Sequence, residues 1–200
     1  MDEIMNEGLL KKIRPIRLLI LDVDGVLTDG RIIMDDTGRE TKHFDVKDGH
    51  GIKIMMRHGI DVVFLTGRRS EVVEHRAKDL GIGEVHQGIW NKVEAFEEIL
   101  RRKNLDRKHV AYVGDDVVDI ALLKRVGFSV AVADASEDVK KAADYVTKKS
   151  GGKGAVREVC EIILKAQEKW DEVAIRYEFI KSRQDTPSAC CGEEYPPPFP

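Results

Sequence analysis

The chain has 200 residues, 42% hydrophobic and 34% charged, with a formal net charge of −3. That length suits one domain with a single sizeable core, and the near-balance of charge gives no general electrostatic reason to bind nucleic acid or anionic lipid. No apolar run approaches the roughly 20 residues that span a bilayer, and the opening MDEIMNEGLLKKIRP lacks a basic start followed by an apolar middle. The expectation is a cytoplasmic, water-soluble protein that binds no membrane and no nucleic acid. Cys160 falls in an apparent helix and Cys190 and Cys191 are adjacent near the end, while the six histidines are scattered. These patterns argue against a disulfide framework and against a zinc site.

Residues 1–12 read as a lead-in helix. The first strong element is the apolar run Leu18 to Leu21, too short for a typical helix, which runs into Asp22, Val23, Asp24 and Gly25 and so reads as a buried strand ending on two carboxylates. Arg31 to Met34 and Thr41 to Phe44 flank the turn residues Asp35 to Gly38, which predicts a hairpin over about 31–44. It is a candidate lid or subunit contact, or else a solvated excursion. Helical patterns follow over about Gly49 to His58, Ser70 to Leu80, Lys92 to Arg102, Ile120 to Val126 and Ser136 to Ala143, and a last one over Gly154 to Ala174. Strand patterns alternate with them at Asp61 to Leu65, Glu84 to His86, His109 to Val113, Phe128 to Val132 and Asp144 to Val146. Alternation of this kind predicts an α/β domain over 13–175, a Rossmann-like parallel sheet sandwiched by helices. The end of the chain, 176–200 with its PPPFP, reads as an extended or disordered tail.

The residues able to do chemistry sit at strand ends or on the helices that follow. Thr66 follows DVVFL, Asp115 and Asp119 follow HVAYV, and Lys92 opens a helix; a parallel sheet gathers such ends on one edge. Phosphate-monoester hydrolysis needs a nucleophile, a proton donor to the leaving alkoxide and positive charge on the phosphoryl oxygens. Asp22 can present an oxygen to the phosphorus while Asp24 delivers the proton. Asp22, Asp24 and Asp115 would repel one another unless a divalent cation joined them, and an all-oxygen site suits Mg²⁺. Taken singly, each residue has a plainer reading: an acidic turn for the aspartates, a turn cap for Thr66, a surface lysine for Lys92, and a solvated neighbour of the metal ligand for Asp116. Ser150 to Ala155, SGGKGA, lacks the spacing of a nucleotide-binding loop and reads as a flexible lead into the last helix.

The set DVDGVLTDG, LTGR, Lys92 and GDDVVD resembles, in order and spacing, the four motifs of the haloacid dehalogenase (HAD) superfamily of phosphohydrolases. The resemblance implies Asp22 as the nucleophile that becomes an aspartyl-phosphate and Asp24 as general acid and base. It implies Thr66 and Lys92 as holders of the phosphoryl group, Asp115 as the Mg²⁺ ligand with Asp22 and the carbonyl of Asp24, and Asp119 as support for the lysine or the metal. More narrowly, DVDGVLTDGRI, KHFDVKDGHGIK, LTGRRSEVVEHRAKDLGI, QGIWNK, YVGDDVVD and GGKGAVREVCEIIL are similar to the capless family of 3-deoxy-D-manno-octulosonate 8-phosphate phosphatases. That likeness implies no cap domain, and a homotetramer in which hairpins associate and neighbouring subunits help close each site. It makes Thr28, Lys47, Asp48, Gly49, Gly67, Arg68 and Arg76 candidates for holding the sugar acid, in a step of lipopolysaccharide precursor synthesis in a Gram-negative bacterium.

Three rivals remain. A related phosphatase acting on nine-carbon keto-deoxy sugar acid 9-phosphates tends to carry Glu where Arg68 stands, so Arg68 favours the eight-carbon substrate. A receiver-like phosphoacceptor module orders its acids differently, and a silent oligomerisation module would not need Asp22, Asp24, Lys92 and Asp115 intact. Arg76 has a plainer reading too, with its stem buried and its head in water.

Overall fold

The computed structural model describes residues 7–180. Residues 1–6, the last part of the expected tail (181–200) and with it Cys190 and Cys191 lie outside the described residues. Eight strands and eight helices are found among those described: α1 (Glu7–Ile13), β1 (Leu18–Leu21), β2 (Ile33–Met34), β3 (Glu40–Thr41), α2 (Val46–Arg57), β4 (Asp61–Leu65), α3 (Glu71–Leu80) and β5 (Val85–His86), followed by α4 (Lys92–Lys103), β6 (Val110–Gly114), α5 (Ile120–Leu123), β7 (Phe128–Ala131), α6 (Glu137–Ala142), β8 (Tyr145–Val146), α7 (Ala155–Ala166) and α8 (Trp170–Arg176).

Six strands form one parallel sheet in the order β5-β4-β1-β6-β7-β8. Taken by position in the sheet, this is the doubly wound arrangement, with the order reversing beside β1. Every residue of β1 and β6 is buried, as are four of the five in β4, which is why these strands read as continuous apolar runs rather than as alternating ones. Register sets the site. Leu21 pairs with Phe64 on one side and with Val113 on the other, so the residues just beyond β1, β4 and β6 emerge side by side. β2 and β3 form a separate antiparallel ladder, pairing Ile33 with Thr41 and Met34 with Glu40. No cap domain is found among the described residues.

Several boundaries differ from the sequence reading, each for a local reason. Helix α2 begins at Val46, not near Gly49, because the Asp45 carboxylate caps the backbone N–H groups of Lys47 and Asp48. The helix expected over Ile120 to Val126 is shortened to Ile120–Leu123, its beginning tightened into a 3-10 turn at Val117–Asp119. The element expected over Gly154 to Ala174 is two helices. Glu168 takes φ +60°, Lys169 N–H donates to Leu164 O, and Glu168 N–H donates to Lys165 O. That is a Schellman stop with Glu in the left-handed position that Gly usually fills, so no glycine announces it.

The SGGKGA stretch is not a loose lead into a helix. Gly152 N–H donates to Val26 O at 2.9 Å, and Gly151 N–H to Asp134 Oδ1 at 2.9 Å. A side chain at Gly151 would meet Gly25 O at 1.7 Å, and one at Gly152 would meet the Thr28 carbonyl carbon at 2.5 Å. The two glycines let this loop lie directly on the turn that follows β1.

Candidate active site

Asp22 stands just past β1 and is buried. Its Oδ1 accepts from Val23 N–H at 2.7 Å and its Oδ2 from Lys92 Nζ at 2.7 Å. Lys92, also buried, opens α4; Asn91 caps that helix through Glu94 N–H. The same ammonium donates to Asp119 Oδ1 at 2.7 Å and to the Tyr112 hydroxyl at 3.0 Å. Tyr112 in turn donates to Asp119 Oδ1 at 2.5 Å. Asp119, fully buried, accepts on its other oxygen from the N–H groups of Asp115 (2.9 Å) and Asp116 (3.2 Å). Asp119 therefore acts as a post: it holds the lysine with one oxygen and shapes the turn after β6 with the other.

Charge in this space is tightly coupled. Burial, opposed by Lys92 and reinforced by Asp119, raises Asp22 above the ordinary carboxylate range. Burial alone would lower Lys92, but the charges of Asp22 and Asp119 hold it above its usual value. Asp115 is pushed up to about 8 by burial and then by the charges of Asp22 and Asp119. Burial, with Asp119 beside the hydroxyl, lifts Tyr112 well above the usual phenol value.

Oxygens of Asp22, Asp115 and Asp119 lie within 4.8 Å of one another. Each Asp119 oxygen accepts two hydrogen bonds and each Asp22 oxygen one, whereas the Asp115 carboxylate accepts none among the described residues. Gly25 makes the room for it. With φ +88°, a side chain there would come within 2.1 Å of Asp115 Oδ2, so the Gly of the Asp-x-Asp-Gly sequence admits the distant carboxylate. Crowded oxygen donors with one unpaired carboxylate fit a hard divalent cation, with Asp22 and Asp115 as the side chains left to hold it.

The remaining candidates divide. Buried Thr66 follows β4, the strand beside β1, and its Oγ1 accepts from Arg68 N–H at 3.4 Å. Gly67 continues that turn. Arg68 Nη2 donates to Glu40 Oε1 at 3.0 Å, and Arg68 Nε lies 3.8 Å from Asp24 Oδ2, so Arg68 reaches the general-acid candidate. Asp116 caps the 3-10 turn, its Oδ1 taking Val117 N–H at 2.7 Å. Thr28 is buried and turns its hydroxyl to the loop backbone, accepting from Gly30 N–H at 3.2 Å.

Four residues that the resemblance offers for holding substrate have other partners here or face solvent. Asp48 is buried, and its carboxylate takes Arg157 N–H at 2.7 Å and Gly154 N–H at 3.2 Å, so it is spent on the beginning of α7. Gly49 packs under Arg76, where a side chain would meet Nη2 at 2.2 Å. Arg76 pairs with Asp79 at 2.7 Å and lies 5.6 Å over the Phe44 ring, the snorkelling arrangement. Lys47 is exposed on the first turn of α2. None of these contacts the carboxylate cluster.

Sequence reasoning passed over Tyr112, Glu40 and Lys42. The Lys42 side chain is 1% exposed; its ammonium pairs with Asp24 Oδ1 and lies 3.2 Å from Glu40 Oε1. Nothing local marks it, since a lysine on a predicted hairpin strand reads as solvated.

The doubly wound sheet, the carboxylates at the ends of β1 and β6 and the lysine joining them define a haloacid dehalogenase-like hydrolase, and residues 81–159 match that family. The chain is 49% identical over 168 residues to 3-deoxy-D-manno-octulosonate 8-phosphate phosphatase of Escherichia coli strain K12, covering 84% of this chain and 89% of the relative. The crystal structure of the phosphatase of that name from Yersinia pestis superposes with a TM-score of 0.82 at 46% identity, over 84% of this chain and 90% of the other. The one from Moraxella catarrhalis, in complex with a magnesium ion, a phosphate ion and a KDO molecule, gives 0.85 at 40% identity, over 86% and 99%. The chain belongs to the family of 3-deoxy-D-manno-octulosonate 8-phosphate phosphatases.

Proposed function

We propose that this protein is a Mg²⁺-dependent phosphomonoesterase that converts 3-deoxy-D-manno-octulosonate 8-phosphate to 3-deoxy-D-manno-octulosonate and phosphate. The observation that carries the reading is the convergence of Asp22, Lys92, Asp119 and Asp115 at the ends of β1 and β6, in a chain 49% identical to an enzyme of that name. A relative holding magnesium, phosphate and KDO together supports the cofactor and the substrate class.

Asp22 attacks phosphorus with a carboxylate oxygen, and Asp24 gives a proton to the sugar oxygen as the ester P–O bond breaks. Lys92, fixed by Asp119 and Tyr112, keeps Asp22 oriented and offsets charge on the phosphoryl oxygens. Thr66 donates its hydroxyl to the same group. Asp24, now a carboxylate, takes a proton from water as the water oxygen attacks the aspartyl-phosphate, which regenerates Asp22 and releases phosphate. Mg²⁺, held by Asp22, Asp115 and the carbonyl of Asp24, supplies a Lewis acid that draws off phosphoryl charge.

The hairpin supports a homo-oligomer. Ile32 and Met34 are 57% and 56% exposed, and a two-stranded ladder with bare apolar side chains calls for a partner. A tetramer whose neighbours complete each site is the assembly we assign, and the cytoplasm its compartment. No helix among the described residues is long and apolar enough to cross a membrane.

The deciding experiment measures phosphate release from a panel of sugar-acid and hexose phosphates, with Mg²⁺ or EDTA, for wild type and Asp22→Asn. We expect the eight-carbon ester to be preferred, and both EDTA and the substitution to abolish turnover. Activity that survives both would end the mechanism; equal use of the nine-carbon ester would end the specificity claim alone. Light scattering tests the assembly, and a monomer would contradict shared sites.

A further inference from the structure

Asp24 does not stand free at the mouth of the site. Lys42, returning from the hairpin with its side chain 1% exposed, places its ammonium on Asp24 Oδ1 and also lies 3.2 Å from Glu40 Oε1. Glu40 in turn receives Arg68 Nη2 at 3.0 Å. Among the described residues Asp24 Oδ2 accepts no hydrogen bond, and Arg68 Nε lies 3.8 Å from it, too far for one.

A buried lysine gives up the rotamer freedom of a four-carbon stem, and a buried ion pair is a weak source of net stability. Neither cost explains why this lysine is buried against the aspartate beside the nucleophile. Orientation does. With Oδ1 held by Lys42, the carboxylate cannot rotate freely, and Oδ2 is left as the oxygen that exchanges a proton.

We propose that Lys42 is a positioning residue for the proton step: tethered by Glu40, it fixes the Asp24 carboxylate so that Oδ2 faces the departing oxygen, which couples the hairpin to cleavage. This rests on the assignment of Asp24 as proton donor in the proposed phosphatase. In that step the ester P–O bond breaks, phosphorus bonds to an Asp22 oxygen, and the proton on Asp24 Oδ2 passes to the leaving oxygen. A sugar alkoxide needs that proton. A nitrophenolate leaves without it.

The test compares Lys42→Met with wild type in the first turnover at saturating ester and saturating Mg²⁺, reading release of the leaving group from 3-deoxy-D-manno-octulosonate 8-phosphate and from 4-nitrophenyl phosphate. Positioned general acids contribute ~10²-fold or more, so we expect a loss of about that size on the sugar ester and less than about threefold on the nitrophenyl ester. Turnover of the nitrophenyl ester also reports that the variant is folded. Should Lys42→Met be insoluble, Lys42→Arg, which keeps charge and donor, is compared instead and should show the same ordering with a smaller loss. Equal losses on the two esters, or a change confined to KM, would overturn the proposal. Asp24→Asn run in parallel separates the two assignments. If it slows both esters alike, the donor assignment falls and the proposal with it; if it is selective and Lys42→Met is not, the proposal alone falls.

Discussion

Asp22 and Asp24 stand two residues apart, each held by a buried lysine, yet the two lysines arrive by different routes. Lys92 comes from the first turn of α4 and meets Tyr112 from β6 and Asp119 from the turn beyond it. All the groups on that side are buried. Lys42 comes from a hairpin whose paired residues are exposed or half-buried; the Asp24 and Glu40 side chains it joins keep 22% and 15% exposure, and Arg68 beside them keeps 39%. The nucleophile's side is thus built by the parallel sheet itself. The side of the proposed proton donor hangs on an excursion that the sheet does not support, so its lysine is held by the hairpin alone.

The comparison can be broken at its centre or at its edges. The largest effect belongs to Asp22→Asn, which we expect to lower kcat at saturating Mg²⁺ by at least ~10³-fold while the fold is kept; phosphate release measures it. Next comes Lys92→Met. It leaves Asp22 and Asp119 facing each other without a cation, so urea unfolding without Mg²⁺ should show about 3 kcal/mol less stability, and turnover with Mg²⁺ should fall ~10²-fold. Lys42→Met should cost only about 1 kcal/mol in the same unfolding experiment, because water reaches its partners. Equal losses for the two lysine variants would erase the distinction between the two sides.

The smallest effect on turnover lies away from both lysines. Asp48→Ala removes the carboxyl group that caps α7 and should cost about 1–2 kcal/mol at about pH 4 with KM unchanged; a raised KM would restore Asp48 to the substrate. A pH series sharpens this. Burial lifts Asp48 from 3.8 to about 6, so the folded chain binds that proton more tightly than the unfolded chain does. The stability this group contributes is whole below about pH 3.8 and is lost as pH rises through about 6. Wild type minus Asp48→Asn unfolding free energy should therefore fall between pH 4 and 6. A rise would mean that the Gly154 and Arg157 N–H groups outweigh burial.

Asp48 also shows where local reading fails. The sequence pattern starts the helix near Gly49, but Asp45 caps it one turn earlier and Asp48 turns inward to α7. Glu168 ends α7 in a conformation that sequence assigns to glycine. By contrast Asp22, Thr66 and Asp115 were legible because each directly follows a strongly apolar strand, whereas Lys92, singly a surface lysine, was legible through its place in the order of the four motifs.

The amino-acid order alone determined the alternation of strands and helices, and with it the gathering of Asp22, Thr66 and Asp115 on one sheet edge, since parallel strands with short connections bring like ends together. Tertiary structure decided what those carboxylates touch. Whether Asp119 holds the lysine or a metal, whether Gly25 frees a turn or makes room for Asp115, and whether Lys42 faces water or Asp24 depend on segments far apart in the chain, because burial and pairing are properties of the packed neighbours and leave no local mark on the residue itself.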